Sequence, residues 1–310
     1  MLISTIICSH NPDKHSDLVE AVSSLLQQSH RENEVIIVID GSDELYRQVI
    51  ADYGAHDNLK AVLVKQNVGL SAARNIGVKE SRGDIIAFTD DDAIADSKWL
   101  ETLKDTYKEW DAIAVGGKIL PIWECDQPHY LPEELYWLVG VTHKGFSAEK
   151  VGEVRNTFGP NMSFKRQVFN QVGGFNENLG FSKKGKSYIQ AEEPEFALRM
   201  KQVLGKGVIY NPHAIVYHKI TKSKLGAIAL IRRAFYQGYS KALLHAIDIS
   251  KDAIHTEGAY LRELLSRDIP RRVKKCYRYT ELAQLMILVV AVFSIGLGFS
   301  YGYIRERIMG

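Results

Sequence analysis

Cysteine is scarce in this 310-residue chain: Cys8, Cys125 and Cys276 are far apart and odd in number. No Cys-x-x-Cys pair occurs, which argues against a disulfide framework and a thiolate zinc site and points to a reducing compartment. A secretory leader is not expected either. The first apolar run, Leu2 to Cys8, is short, has no basic lead and runs straight into Ser9-His10-Asn11. Internal repeats and low-complexity tracts are missing. Net charge is only +2, but that small value hides an asymmetry. Lys219 to Arg278 holds 14 Lys or Arg against 5 Asp or Glu, a balance of +9 that leaves the remainder near −7. Such a segment suits an anionic surface, either nucleic acid or the cytoplasmic face of a membrane.

What is there begins with an ordinary globular composition, 45% apolar and 25% charged, enough to bury a sizeable core. The residues after the basic segment favour the membrane over nucleic acid. Leu282 to Ile304 runs 23 residues without a charge. As a helix it is about 35 Å long, against a hydrocarbon core of about 30 Å. Arg271, Arg272, Lys274, Lys275 and Arg278 precede it, and Arg305 and Arg307 follow with Glu306. The excess of positive charge on the N-terminal side predicts a single-pass protein of the cell membrane with its body in the cytoplasm. The competing reading is a buried helix of a soluble domain. Leu225 to Ile249, amphipathic and rich in Arg, Lys and aromatic residues, fits a helix at a membrane surface or one packed on the main domain.

The first 120 residues alternate between two periods. Strands are expected at Leu2–Cys8, Glu34–Asp40, Lys60–Lys65, Asp84–Thr89 and Ala112–Val115. Helices are expected at Ser16–Gln28, Asp43–Tyr53 (with Asp43 as cap), Leu70–Ser81 and Ser97–Trp110. This pattern predicts βαβ units and a mainly parallel sheet flanked by helices. Beyond it, Pro121–Lys150 reads as an excursion over the active face. A helix is expected at Gln190–Leu204, with short strands at Gly207–Asn211 and Ala214–Tyr217.

In a parallel sheet, ligands bind beyond the carboxyl ends of the strands. Three polar clusters fall on that edge: Ser9-His10-Asn11, Asp40-Gly41-Ser42-Asp43 and Asp90-Asp91-Asp92. Three adjacent carboxylates repel one another, and a divalent cation such as magnesium or manganese relieves this. In an extended segment Asp90 and Asp92 face one side, so Asp91 points away and is the most expendable. Asp40 can accept from a base or ribose, and Asn67 to Asn75 opens a helix whose N-terminus, with Arg74, favours a phosphate. Glu192 and Glu193 start a later helix, where either could serve as general base. His218 ends a short strand and can add a nitrogen ligand to the metal. Each feature also has a structural reading: a solvated acidic turn, an Asp-Gly turn, a structural ion pair, helix capping, a packed histidine.

Taken in order, these segments resemble glycosyltransferase family 2, the inverting enzymes of GT-A fold, over roughly residues 2 to 218. The matching pieces are VIDGSDE at 38–44, NVGLSAARNIG at 67–77, FTDDD at 88–92, FGPNMSFKR at 158–166, GGFNE at 173–177 and EEPEFALR at 192–199. The resemblance implies that Asp40 binds uracil, Asp90 the ribose and diphosphate region, and Asp92 the metal. Glu193 aligns with the family's catalytic Asp, with Glu192 its rival, and His218 with a His that faces the metal. The family often has Asp where this chain has Ile39. Ser9, Asn11, Asn67 and Arg74 belong to the same nucleotide site. The chain is further similar to archaeal members that extend dolichyl-phosphate-linked glycans, some of which transfer glucuronic acid from UDP-glucuronate.

The expected organisation is a catalytic domain over 1–218, with a nucleotide half at 1–118 and an acceptor half at 119–218. A basic surface segment at 219–279 and a transmembrane helix at 280–304 follow. The expected partners are a UDP-sugar, a lipid-linked glycan and the membrane, with no nucleic acid; polysaccharide or protein acceptors are the alternatives. A sugar-phosphate nucleotidyltransferase would carry a Gly-rich, Arg-containing loop after the first strand, where this chain has SHNPDKH. A haloacid-dehalogenase phosphatase would place its D-x-D after the first strand, and a lectin-like scaffold needs no metal.

Overall fold

The computed structural model describes residues 1–180, 189–247 and 255–309. Its first elements follow the periodicity closely: β1 (Ile3–Ser9), α1 (His15–Leu26), β2 (Asn33–Asp40), α2 (Asp43–Tyr53), β3 (Leu59–Val64), α3 (Leu70–Glu80), β4 (Ile85–Asp90), β5 (Ala93–Ala95) and α4 (Trp99–Glu109). The cap of α2 is Ser42 rather than Asp43, because the Ser42 hydroxyl accepts from Leu45 N at 3.2 Å. Next come β6 (Ala114–Trp123), β7 (Gly152–Val154), β8 (Met162–Lys165), α5 (Arg166–Val172), α6 (Glu192–Leu204) and β9 (Val208–Ile220). Where two short strands were expected after α6 there is one long one. The fifth strand of the sequence reading becomes β6, which starts at Ala114 and runs through Pro121 to Trp123.

Nine strands form one sheet in the order β3-β2-β1-β4-β8-β6-β9-β5, with β7 on β9. The β3-β2-β1-β4 half is parallel, and the pairs β4–β8, β6–β8, β5–β9 and β7–β9 are antiparallel. Every residue of β2 is buried, which explains its unbroken apolar run: alternate residues serve two cores. Ile3, Ile37 and Ile85 join Leu18, Val22 and Leu45 from α1 and α2 on one face. Ile36, Ile86 and Phe88 join Phe164, Phe169 and Phe196 on the other. Each such side chain stabilises the sheet by about 1.5–3 kcal/mol.

The chain divides into two compact units. The first comprises Met1–Leu120, the described part of Ser147–Ser187, and Glu192–Lys219. The second comprises Pro121–Phe146, the described residues of Tyr188–Ala191, and those of Ile220–Gly310. The chain passes from the first unit to the second between Lys219 and Ile220, while Pro121–Phe146, expected in the acceptor half, packs with the C-terminal helices, because Leu131, Leu135 and Leu138 share a core with Leu230, Ile287 and Leu288.

The helices of the second unit are α7 (Lys222–Leu225), α8 (Ala227–Ile247), α9 (His255–Glu263), α10 (Ile269–Val273) and α11 (Tyr279–Met309). The end of the expected 225–249 helix lies outside the described residues. Helix α11 is long and apolar enough to cross a membrane. Two of the basic residues before it are not free for headgroups. Arg272 is buried and Arg271 half-buried, and they donate to the two oxygens of buried Glu134 at 2.7 and 2.9 Å.

Candidate active site

Strands β1, β2, β4 and β9 and helices α3 and α6 of the first unit supply the polar side chains of the site. Strand β4 ends at Asp90, and the run continues to Asp92. The short β5 then pairs antiparallel with β9, with Ala93 opposite His218, while Lys219 N donates to Asp92 O at 2.9 Å. This register sets His218 Nε2 3.2 Å from Asp92 Oδ1. One donor atom each from Asp90, Asp92 and His218 lie within 4.8 Å of one another.

Two carboxylates and one imidazole are a donor set that suits a divalent cation with oxygen and nitrogen preference. The cluster already attracts a cation of its own chain. Lys14 Nζ lies 2.9 Å from Asp92 Oδ2 and 3.7 Å from Asp91 Oδ1, an ammonium where positive charge is called for. Burial works against the charge on Lys14, but Asp91 and Asp92 outweigh it and raise its pKa. The loop after β1 that delivers Lys14 is shaped by Asn11, whose side chain accepts from Asp13 N at 3.1 Å. Lys14 was missed in the sequence, where nothing but membership of that loop marks it.

Asp91 is not a loose, solvated group. Its Oδ2 accepts from Ser9 Oγ at 2.5 Å, and burial raises its carboxyl. Asp90 keeps a third of its side chain exposed, with Arg74 Nη2 3.8 Å away. Burial, opposed by Arg74 and reinforced by Asp92, pushes Asp90 up to about 6. Cys8, at the end of the same strand as Ser9, is pushed by burial up to about 12, so it stays a neutral thiol at physiological pH.

Asp40 faces its neighbour turn. Its two oxygens accept from Val68 N and Gly69 N at 2.8 and 2.9 Å, and Asn67 Nδ2 donates to Asp40 O at 3.4 Å. Gly69 has φ +91, a left-handed conformation that suits glycine, and it leads directly into α3. Asp40 thus shapes the turn that starts α3, a structural part different from the Asp-Gly turn expected of it. Each oxygen keeps one lone pair for a ligand.

Arg74, on α3, is fully buried against acids. Its Nη1 lies 3.1 Å from Glu193 Oε1 and 3.5 Å from Glu192 Oε1. Burial opposes its charge, but Glu193, Glu192 and Asp90 together raise its pKa. Its guanidinium also stands over the Phe175 ring, 5.7 Å from the centroid. Asn75 fixes that ring's backbone in both directions: Nδ2 donates to Phe175 O and Oδ1 accepts from Phe175 N.

The two glutamates at the start of α6 differ sharply. The Glu192 side chain is 2% exposed and Glu193 19%. Burial and repulsion from Glu193, partly offset by Arg74, push Glu192 up to about 8. Glu192 Oε2 has no hydrogen-bond partner among the described residues.

Gly159 explains why the FGPN segment stands here. A Cβ at that position would come within 2.5 Å of Glu193 Oε1 and 2.6 Å of Arg74 Nη2. Asn161, fully buried, accepts from Trp99 Nε1 and donates to Ala214 O and Lys118 O, so it ties α4, β6 and β9 together.

Comparison with known proteins adds a family to this geometry. Residues 4–173 match the model for glycosyl transferase family 2. The chain is 38% identical over 305 residues to the glucosyl-dolichyl phosphate glucuronosyltransferase of Haloferax volcanii, covering 98% of this chain and 96% of that protein. It is 30% identical over 171 residues to glycosyltransferase GlyG of Streptococcus pneumoniae, covering 54% of each. Among solved structures, the mannosyltransferase PcManGT of Pyrobaculum calidifontis, in complex with GDP-Man and Mn2+, superposes with a TM-score of 0.63 at 16% identity. That superposition covers 96% of this chain and 87% of the other, and it supports the GT-A fold. The chain belongs to glycosyl transferase family 2 and is a glycosyltransferase.

Proposed function

We propose that this family 2 glycosyltransferase moves glucuronic acid from UDP-glucuronate to a glucosyl dolichyl phosphate at the cytoplasmic side of a membrane. The observation that carries this reading is the extent of the Haloferax likeness. It spans 98% of the chain and so includes the C-terminal helices, whereas GlyG is matched over 54%. The membrane enters through α11 and through the lipid named in that relative's acceptor.

In this reading Glu193 is the general base. It is the more accessible of the two glutamates, and Arg74 holds its carboxylate. Glu193 takes the proton from the acceptor hydroxyl as that oxygen attacks the anomeric carbon from the face opposite the diphosphate. The bond from the anomeric carbon to the phosphate oxygen breaks, UDP leaves with its electron pair, and configuration inverts. Glu192 is the buried partner that helps fix Arg74. Asp90, Asp92 and His218 would hold Mn2+ or Mg2+, which neutralises charge on the departing diphosphate. Lys14, whose ammonium lies 2.9 Å from Asp92 Oδ2, would supply positive charge beside the same site. Asp40, Asn67, Ser9 and Asn11 shape the nucleotide end of the site.

A donor screen tests the reading: purified protein, Mn2+, a panel of UDP-sugars, and glucosyl or unmodified dolichyl phosphate. Glucuronate transfer to the glucosyl lipid is expected. Transfer of another sugar, or to a soluble glycan or peptide only, overturns it. Asp92→Asn is expected to lose Mn2+ binding, read by electron paramagnetic resonance; unchanged binding removes Asp92 from the metal site.

A further inference from the structure

The C-terminal helix is not a free-standing rod. Helix α8 packs along it, and the paired residues advance together: Ser294 Oγ donates to Ile231 O at 2.9 Å, Gly298 lies on Phe235 O, and Gly302 meets Ala242. The two helices therefore run parallel, in close contact through small residues. A Cβ on Gly238 would run into Ile295 O, and one on Gly298 into Phe235 O. This seam buries Ala291, Ser294, Gly298 and Gly302 of α11.

Helix α8 is itself bound to chain outside the helix pair, a 3₁₀ segment over Glu133–Val139 and the loop residue Gln190. Arg233 Nη1 donates to Leu138 O at 3.0 Å. Ser240 Oγ accepts from Gln190 N at 3.0 Å, and Gln237 Nε2 donates to Gln190 Oε1 at 2.7 Å. Were α11 to cross a bilayer, α8 would go with it. Arg232, Arg233 and Lys241 would then enter the hydrocarbon beside Ser294 to Gly302, together with the 3₁₀ segment whose Leu138 carbonyl Arg233 holds. At 31 residues α11 is about 46 Å long, well beyond a core of about 30 Å.

The outward face of α11 is different. Leu282, Met286, Phe293, Leu297 and Tyr301 form an exposed stripe along the helix. Both ends of the stripe are basic. Lys274, Lys275 and Arg278, exposed with Tyr277 and Tyr279, lie at one end, and Arg305 and Arg307 at the other. A crossing helix would divide these cations between two leaflets. A helix lying flat presents all of them to one anionic surface.

We propose that α11 lies in the plane of the bilayer as a monotopic anchor, its exposed stripe in one leaflet of a negatively charged membrane and α8 covering its inner face. This deepens the membrane attachment proposed above and rests on it. Both ends of α11 are then on the cytoplasmic side of the membrane, and a lipid-linked substrate is reached from that leaflet alone.

The test uses the full chain expressed in cells, with native Cys276 marking the start of α11 and Ile308→Cys its end. Inside-out membrane vesicles and right-side-out spheroplasts are treated with a membrane-impermeant maleimide, and peptide mapping locates the label. Both positions are expected to react in inside-out vesicles and neither in spheroplasts. Reaction of position 308 from the spheroplast side alone overturns the in-plane arrangement while leaving membrane attachment standing. Failure of the protein to sediment with membranes, or with phosphatidylcholine–phosphatidylglycerol vesicles, overturns both; a concentration-dependent dimer would then identify a second copy as the cover of the stripe. Phe293→Asp with Leu297→Asp is expected to cut vesicle binding more than tenfold at an unchanged thermal midpoint. Unimpaired binding by that folded variant overturns the stripe as the membrane face.

Discussion

Two buried glutamates, Glu134 and Glu192, face arginines and are displaced in opposite directions. Glu134 is 3% exposed and meets Arg271 and Arg272 at 2.9 and 2.7 Å, one guanidinium for each oxygen. Burial raises its carboxyl, but a backbone hydrogen bond and the two arginines more than cancel that, and its pKa is lowered. Glu192 is 1% exposed and shares the single Arg74 with Glu193 and Asp90. It is raised to about 8. The C-terminal cluster is close to charge balance, as a structural network should be. The cluster around Arg74 has more carboxylates than cations, a costly arrangement that makes sense where a cation, a phosphate or a proton is to be handled.

The largest effect that would break this comparison is at the base. Glu193→Gln should lower transfer by about 10²–10⁴-fold with UDP-sugar binding retained, in steady-state kinetics paired with calorimetry. If turnover survives, the base is Glu192 or another group. Gly159→Ala should come next. Its methyl group must displace Glu193, Arg74 or the backbone, so kcat should fall by about tenfold or more, as a ~1 Å misplacement near a reacting centre can cost that much. A variant with normal kcat would show that Glu193 need not stay where it lies.

The reverse pattern is expected for Arg272→Met. It leaves Glu134 with one arginine and Glu281 without its 3.0 Å partner. Breaking such a buried pair costs about 3–5 kcal/mol, visible in denaturant unfolding, with kcat per folded molecule unchanged. The smallest effect is in pH. Glu192 is raised, so its contribution to stability is complete below 4.5 and is lost as pH rises to about 8. Glu134 is lowered, so its contribution is present above 4.5 and is lost as pH falls. Glu192→Gln should therefore flatten the fall in thermal midpoint between 4.5 and about 8, and leave the acid limb alone. An unaltered curve would mean that Glu192 is ionised throughout.

The legible part of the protein was the part governed by period and strand ends. The β1-to-β4 strands, α1 to α4 and the polar clusters at their ends follow from buried, two-sided strands and short crossovers. The second half was harder. Pro121–Phe146 gave no period because it is built of turns and a 3₁₀ segment packed on helices far away in sequence. Asp43 was chosen as cap because an acid at a helix start is favourable, but a cap is decided by backbone position, and Ser42 holds it. Strand alternation turns Asp91 away from Asp90 and Asp92, but alternation stops where β4 stops. Beyond that point Ser9 and Lys14 decide the surroundings of Asp91.

By itself the sequence determined that Asp90-Asp91-Asp92 ends a buried strand on the same sheet edge as Asp40 and Ser9, because alternation and apolar runs are local properties. It also determined that the chain carries one long apolar helix with basic flanks. Only the tertiary structure decided which groups meet the acids. His218 reaches Asp92 through the β5–β9 register, Lys14 through the loop after β1, and Glu192 and Glu193 through Arg74. Contacts between residues so far apart in the chain depend on how layers pack, and no local pattern encodes that distance. The same holds for α11: its composition permits a crossing, and the seam with α8 is what argues for lying flat.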